Sequence, residues 1–125
     1  MNRILHIDDS GFQRRISGRM FNQVFDNIEL ISLSDAEVLE LTNKGDKFEN
    51  IDLVVTDLLM ENISGQEVIK YIREVNRECC IAVLSSNIQN TEKNTCFSLG
   101  ADFFIEKPLS IDKLMELKGY YNDRI

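Results

Sequence analysis

Short apolar runs of strand length alternate with helical periodicity along the whole chain. The first run is residues 3–7, Arg-Ile-Leu-His-Ile. After it Phe12, Ile16, Met20 and Val24 recur at i, i+4, which predicts a helix with that stripe facing a core. Residues 28–33 predict a second strand. Ser34 and Glu37 form a capping box that opens a helix through Val38, Leu39 and Leu41, broken at Gly45-Asp46. Residues 51–56 are almost wholly apolar in the middle, as expected of a strand covered on both faces. Ser64 and Glu67 make a second capping box, for a helix through Val68, Ile69, Ile72 and Val75. A fourth strand is predicted at 80–84, a weaker helix at 89–99 stopped by Gly100, and a fifth strand at 102–105. The last helix starts near Ser110 and carries Ile111, Leu114, Met115 and Leu117. Gly119-Tyr120-Tyr121 is expected to interrupt it, leaving 119–125 as a fraying polar tail.

Five β-α units in succession predict an α/β fold, a doubly wound parallel sheet with helices on both faces. Ligands of such sheets bind beyond the carboxyl ends of the strands. The first strand delivers Asp8 and Asp9 to that rim, the third Asp57, the fourth Ser85 and Ser86, and the fifth Lys107 and Pro108. Singly, each has a plain explanation: an aspartate at a strand end forms turns, a serine caps a helix, a lysine sits in solvent. Jointly they point to chemistry. Two like charges ~4 Å apart repel by about 4 kcal/mol at an effective dielectric near 20, so three carboxylates in one pocket call for a cation. A half-enclosing set of hard oxygen ligands suits Mg²⁺, which takes one or two carboxylates beside a phosphate and keeps several waters. A lysine with that metal would gather charge around a phosphoryl group, and an aspartate can itself be the nucleophile.

The 125 residues fit a single domain, and 21 acidic against 14 basic side chains leave a net charge of -7. That balance argues against direct nucleic-acid binding, which begins with excess positive charge. No apolar run approaches the ~20 residues of a spanning helix, and the N-terminus lacks a signal-peptide pattern, so a cytoplasmic protein without membrane association is expected. Cys79, Cys80 and Cys96 have no metal-site spacing and are expected to be reduced, buried and apolar in role. His6 is expected in or near the core. Arg14, Arg15 and Arg19 form a basic group on the first helix, either a solvated face or a docking surface for an acidic partner.

Ile-Asp8-Asp9-Ser, Val-Val-Thr-Asp57-Leu-Leu-Met, Leu-Ser85-Ser86 and Gly-Ala-Asp-Phe-Phe104-Ile-Glu-Lys107-Pro108 together resemble the receiver domains of bacterial two-component response regulators, of the CheY-like group in size. The resemblance spans about residues 3–118 and implies the flavodoxin/CheY-like (βα)5 fold with strand order 2-1-3-4-5. It implies that Asp57 accepts a phosphoryl group from a sensor histidine kinase or a histidine phosphotransfer protein. It implies Mg²⁺ on Asp9, Asp57 and the backbone carbonyl of Leu59, with Asp8 acting through water. Ser85 would bind a phosphoryl oxygen, Lys107 would pair with the phosphate, and Phe104 would be the aromatic that follows Ser85 in the switch. A cis Lys107-Pro108 bond is implied as well. The output surface would lie on the fourth helix, fifth strand and fifth helix. The domain would catalyse its own phosphorylation and dephosphorylation without turning over an independent substrate.

Several positions depart from the commoner pattern. Phe104 lacks the hydroxyl of a tyrosine, Ser86 is larger than the usual residue, and Glu61 follows Met60 where proline is frequent. Leu59 and Asn87 occupy positions that tune dephosphorylation. An aspartate-nucleophile phosphatase is the enzyme alternative, disfavoured because its second acid would fall at Leu59. An FMN carrier is disfavoured by acids where a phosphate loop belongs, and a partner-binding pseudo-receiver by the complete acid, hydroxyl and lysine set. Two settings remain open: a single-domain regulator that docks on a downstream protein target, or the N-terminal receiver of a longer multidomain regulator with a fused output domain.

Overall fold

The computed structural model describes residues 2–86 and 89–124. Five strands form one parallel sheet in the order β2-β1-β3-β4-β5. In chain order the elements are β1 (Asn2–Ile7), α1 (Gly11–Val24), β2 (Ile28–Leu33), α2 (Asp35–Asn43) and β3 (Leu53–Asp57). They continue with α3 (Gly65–Arg73), β4 (Cys80–Ser85), α4 (Asn90–Leu99), β5 (Phe103–Glu106) and α5 (Ile111–Asp123). The (βα)5 architecture and strand order agree with expectation.

Strand alternation divides the interior in two. Leu5, Ile7, Val54, Ile81 and Val83 face Val38 of α2, Val68, Ile69 and Ile72 of α3, and Cys96 of α4. Ile4, Leu53, Val55, Ala82 and Ile105 face Phe21 of α1 with Leu114, Leu117 and Tyr121 of α5. β3 and β4 are buried along their whole lengths, which is why their sequences show no polar alternation. Both capping boxes form, with Ser34 and Ser64 accepting from the backbone N–H of Glu37 and Glu67. The three thiols are buried and unpaired, and burial pushes that of Cys80 up to about 12.

Three helices differ from the sequence pattern. In α1 the buried face is Ser17, Phe21 and Val24, while Phe12 is 62% exposed. A stripe of i, i+4 steps drifts about 40° per step around a 3.6-residue helix, so Phe12 has rotated off the face that Val24 occupies. α3 stops at Arg73 and leaves Val75 exposed. The chain turns there because the Asn76 side chain donates to the carbonyls of Phe48, Glu49 and Ile51. Arg73 also bridges to the carbonyls of Cys79 and Gly100 and pairs with Asp102 at 2.8 Å. α5 runs straight through Gly119 to Asp123, so the expected interruption is absent. Tyr121 explains this: its ring is buried and its hydroxyl donates to Asn2 Oδ1 at 3.3 Å, so tertiary packing outweighs glycine's poor propensity.

His6 is fully buried on the α1 side of β1, its ring 5.3 Å from that of Phe21. Neither ring nitrogen has a hydrogen-bond partner, and burial lowers its pKa to about 4. The neutral ring is therefore the folded form.

Two predictions follow from these contacts. A Cβ on Gly119 would meet nothing within 4 Å, so Gly119→Ala is expected to stabilise the fold by up to about 1 kcal/mol in urea unfolding. Loss of stability would mean that α5 does not continue past residue 118. For His6, the unfolded ring gains a proton near pH 6.5 and the folded one only near 4. Its contribution is thus intact above pH 6.5 and falls with acidification through that window, by on the order of 3 kcal/mol. His6→Leu is expected to remove that acid-side slope, read as the difference in unfolding free energy between the two proteins across the same pH range.

Candidate functional site

The strand order reverses direction between β1 and β3, which opens a crevice at their carboxyl ends. Asp8 and Asp9 follow β1 and Asp57 is the last residue of β3. One carboxylate oxygen from each of the three lies within 4.8 Å of the others. Asp8 and Asp57 are buried and Asp9 is exposed. The acidic group is therefore walled by protein on one side and open to solvent on the other.

Asp8 and Asp57 are each held by backbone chemistry. The Asp8 N–H donates to Leu33 O at 3.2 Å, and Asp8 Oδ1 accepts from Ser10 N at 2.9 Å. Ser10 in turn caps α1. Asp57 is fixed by the ladder to β4, where it stands opposite Leu84. Behind it α3 begins at very close range: a Cβ on Gly65 would lie 2.5 Å from Asp57 O. Only glycine permits that approach, and the Gly65 N–H closes the loop on Leu58 O at 2.8 Å.

Lys107 Nζ donates to Asp57 Oδ2 at 3.0 Å. The Lys107 N–H donates to Ser85 O at 2.9 Å, which sets β5 beside the end of β4, and the Lys107–Pro108 peptide is cis. Asp57 Oδ1 is buried without a hydrogen-bond partner. Burial pushes the Asp57 pKa up to about 7; the Lys107 hydrogen bond and charge work against this, and the Asp8 charge adds to it. One ammonium thus does not balance this pocket. An orphaned buried carboxylate oxygen among three clustered acids is the donor set that a hard divalent cation fits.

Around this centre the remaining residues separate. Ser85 is buried at the end of β4, whereas Ser86 is exposed. Both line, with Leu59, Leu84 and Lys107, a notch of about 80 Å³. Leu59 is 73% exposed. Phe104 is half-buried on β5, with its ring centroid 6.4 Å from that of Phe97 on α4. Asn87 lies outside the described residues. Of the basic group on α1, Arg15 and Arg19 are exposed, but Arg14 is half-buried and donates from Nη1 to Asp8 O at 2.7 Å. Arg14 therefore supports the acidic loop rather than joining a purely solvated face. That role and the close approach at Gly65 escape a sequence pattern, because both depend on backbone atoms from distant positions.

A profile of the response regulator receiver domain matches residues 4–118. The two-component response regulator ARR16 of Arabidopsis thaliana is 28% identical over 92% of this chain and 77% of its own length. A cyclic di-GMP phosphodiesterase of Thermotoga maritima is 29% identical over 92% of this chain, but only 29% of its length is covered. Among solved structures, a response regulator receiver domain protein from Clostridium thermocellum superposes with a TM-score of 0.82 at 21% identity, over 99% of this chain and 96% of that one. No helix among the described residues is long and apolar enough to cross a membrane. With three clustered acids at the switch point of this fold, the chain belongs to the response regulator receiver domain family and functions as a phosphorylation-dependent receiver that acts on its own aspartate rather than on an independent substrate.

Proposed function

We propose that Asp57 is the phosphoacceptor, that Asp8, Asp9, Asp57 and the backbone carbonyl of Leu59 hold Mg²⁺, and that Ser85, Ser86 and Lys107 bind the phosphoryl oxygens. The observation that carries this reading is the buried Asp57 carboxylate, paired at 3.0 Å with Lys107 and clustered with two further acids. Bound Mg²⁺ would offset the repulsion among the acids and draw charge from the transferring phosphoryl group. An oxygen of ionised Asp57 attacks phosphorus, and the phosphorus–nitrogen bond of a phosphohistidine donor breaks with its electron pair leaving on the imidazole. Lys107, 3.0 Å from the carboxylate, would pair with the incoming phosphoryl oxygens. The nucleophile comes from a strand end that β4 and α3 hold rigidly, so little positioning entropy is left for the reaction to supply.

The phosphodonor is a sensor histidine kinase or a histidine phosphotransfer protein. A cleft of about 540 Å³ beside the site, lined by Ile16, Met20, Pro108 and Leu109 among others, supports docking there. The exposed Phe12 ring extends the apolar surface of α1. Ser85 and Phe104 relay the modification: the phosphoryl group draws Ser85 toward the site, and the half-buried Phe104, which meets Phe97 edge to face at 6.4 Å, repacks in response. The shifted surface is α4-β5-α5, and its target is a downstream protein or a fused output domain. The 125 residues are one cytoplasmic receiver that binds neither nucleic acid nor membrane directly. A phosphatase reading lacks its second acid, since the residue two beyond Asp57 is the exposed Leu59.

With acetyl phosphate and Mg²⁺, the wild-type protein is expected to gain one phosphoryl group by intact mass, and Asp57→Asn none. Equal labelling of the variant would sink the assignment. A second expectation concerns pH. The folded Asp57 keeps its proton to about pH 7, whereas the unfolded one loses it near 3.8. The metal-free fold therefore loses stability as pH rises through that window. Mg²⁺ requires the ionised carboxylate, so its stabilising effect should grow over the same range, to about 2.7 kcal/mol at a hundredfold excess over Kd. In thermal scans Asp57→Asn is expected to flatten the metal-free slope and to lose most of the Mg²⁺ gain. A Mg²⁺ response unchanged in the variant would contradict the ligand set.

A further inference from the structure

The loop from β3 to α3, residues 58–64, carries Leu59 two residues beyond Asp57. Its ends are secured: Leu58 N donates to Leu84 O at 2.9 Å, Gly65 N to Leu58 O, and the Ile63 side chain is buried. Its crest is not packed. Leu59, Glu61 and Asn62 are exposed. The crest is reached from outside by Asp35, whose Oδ2 accepts from Asn62 N at 2.6 Å across 27 positions of sequence.

Asp35 is an unusual residue to spend on that contact. It is 2% exposed, and burying a carboxylate is costly without strong partners. It is the first residue of α2, but that helix does not need it as a cap, since Ser34 and Glu37 already close a reciprocal capping box. The favourable end of the helix dipole lowers the cost of the charge at this place. Its carboxylate then accepts a hydrogen bond not from its own helix but from the loop that follows the phosphoacceptor. A charged acceptor makes a shorter and stronger bond than a neutral one, so the loop is tied by the strongest type of hydrogen bond open to an amide.

We propose that Asp35 is a positioning residue for the phosphoryl-accepting site. By fixing the Asn62 amide it holds the β3–α3 loop in one conformation, and with it the Leu59 carbonyl that would complete the cation site. The inference rests on the assignment of Asp57 and the metal ligands above. It adds α2 to the elements that build the site, through a residue that touches neither phosphate nor metal.

The test compares wild type, Asp35→Ala, Asp35→Asn and Asp57→Asn. Thermal unfolding, hydrogen exchange at the Asn62 amide without metal, Mg²⁺ affinity by titration calorimetry, and labelling by acetyl phosphate are measured for each. In Asp35→Ala the Asn62 amide should exchange about tenfold faster, and Mg²⁺ affinity and labelling rate should fall several-fold. Asp35→Asn retains an oxygen acceptor and should recover most of the Mg²⁺ affinity. A variant that loses only thermal stability, with Mg²⁺ affinity and Asn62 exchange as in wild type, would show a purely structural role and overturn the proposal. If Asp35→Ala fails to fold, Asp35→Leu, which fills similar space without an acceptor, decides: Asn62 exchange faster than wild type supports the tie, equal to wild type refutes it. Failure of the underlying assignment looks different, because wild type itself would then escape labelling or Asp57→Asn would be labelled.

Discussion

As the proposed phosphoacceptor, the Asp57 carboxylate has to remain chemically available while sitting almost out of water. Everything around the carboxyl end of the sheet answers that constraint. A buried carboxylate left alone takes up a proton and stops being a nucleophile, and the rise of Asp57 to about 7 measures that tendency. Lys107 opposes it with a single ammonium at 3.0 Å, and Asp8 reinforces it. The pocket is thus left short of positive charge. That deficit has a use: a site already neutral would gain little from a divalent cation or from a phosphoryl group carried in with one. The parallel sheet supplies the rigidity. β1, β3 and β4 bring their ends to one rim through parallel ladders that run to Ile7 on β1 and to Asp57 on β3, which limits how far the acids can splay apart to relieve repulsion.

The same crowding appears one turn deeper. His6 lies on β1, two residues before Asp8, buried without a partner and held neutral. Its neutrality matters to the rim, because a charged imidazolium there would compete with a cation for the acids. His6 and Asp57 consequently give the metal-free fold opposite pH slopes in overlapping windows. Acidification costs the fold through His6 and relieves it through Asp57. A flat pH profile for the whole protein would be a cancellation, not an absence of titrating groups.

The fold and the centre of the site were open to reading because they are written in local pattern. Strand and helix periods alternate without interruption, and chemistry-bearing residues fall at strand ends, where the doubly wound topology must gather them. What escaped notice depends on contacts across the fold. The continuation of α5 past Gly119 depends on Tyr121 reaching Asn2 at the far end of the chain. The rotation of α1 away from Phe12 depends on drift within an i, i+4 stripe. The supports of the site escaped for the same reason. Arg14 acts on a carbonyl, Gly65 on backbone van der Waals space, and Asp35 on an amide. Backbone partners leave no trace in side-chain pattern, so supporting residues are harder to find than the reacting ones they serve.

The two halves of the rim also differ in how readily they move, and this separates holding from signalling. β3 and β4 are buried throughout and interlocked with both cores, so displacement there would open voids on two faces at once. β5 is shorter, an edge strand, with Phe103 and Phe104 only half-buried. A change at Ser85 that must be accommodated somewhere meets least resistance on that side, where an aromatic can repack without creating a cavity. The loop after Asp57 lies on the opposite side, and the Asp35 carboxylate ties it down. Stiffness on the α2–α3 side and slack on the α4–β5 side together give a local charge event a direction. The asymmetry follows from burial and hydrogen bonding alone, before any partner is considered.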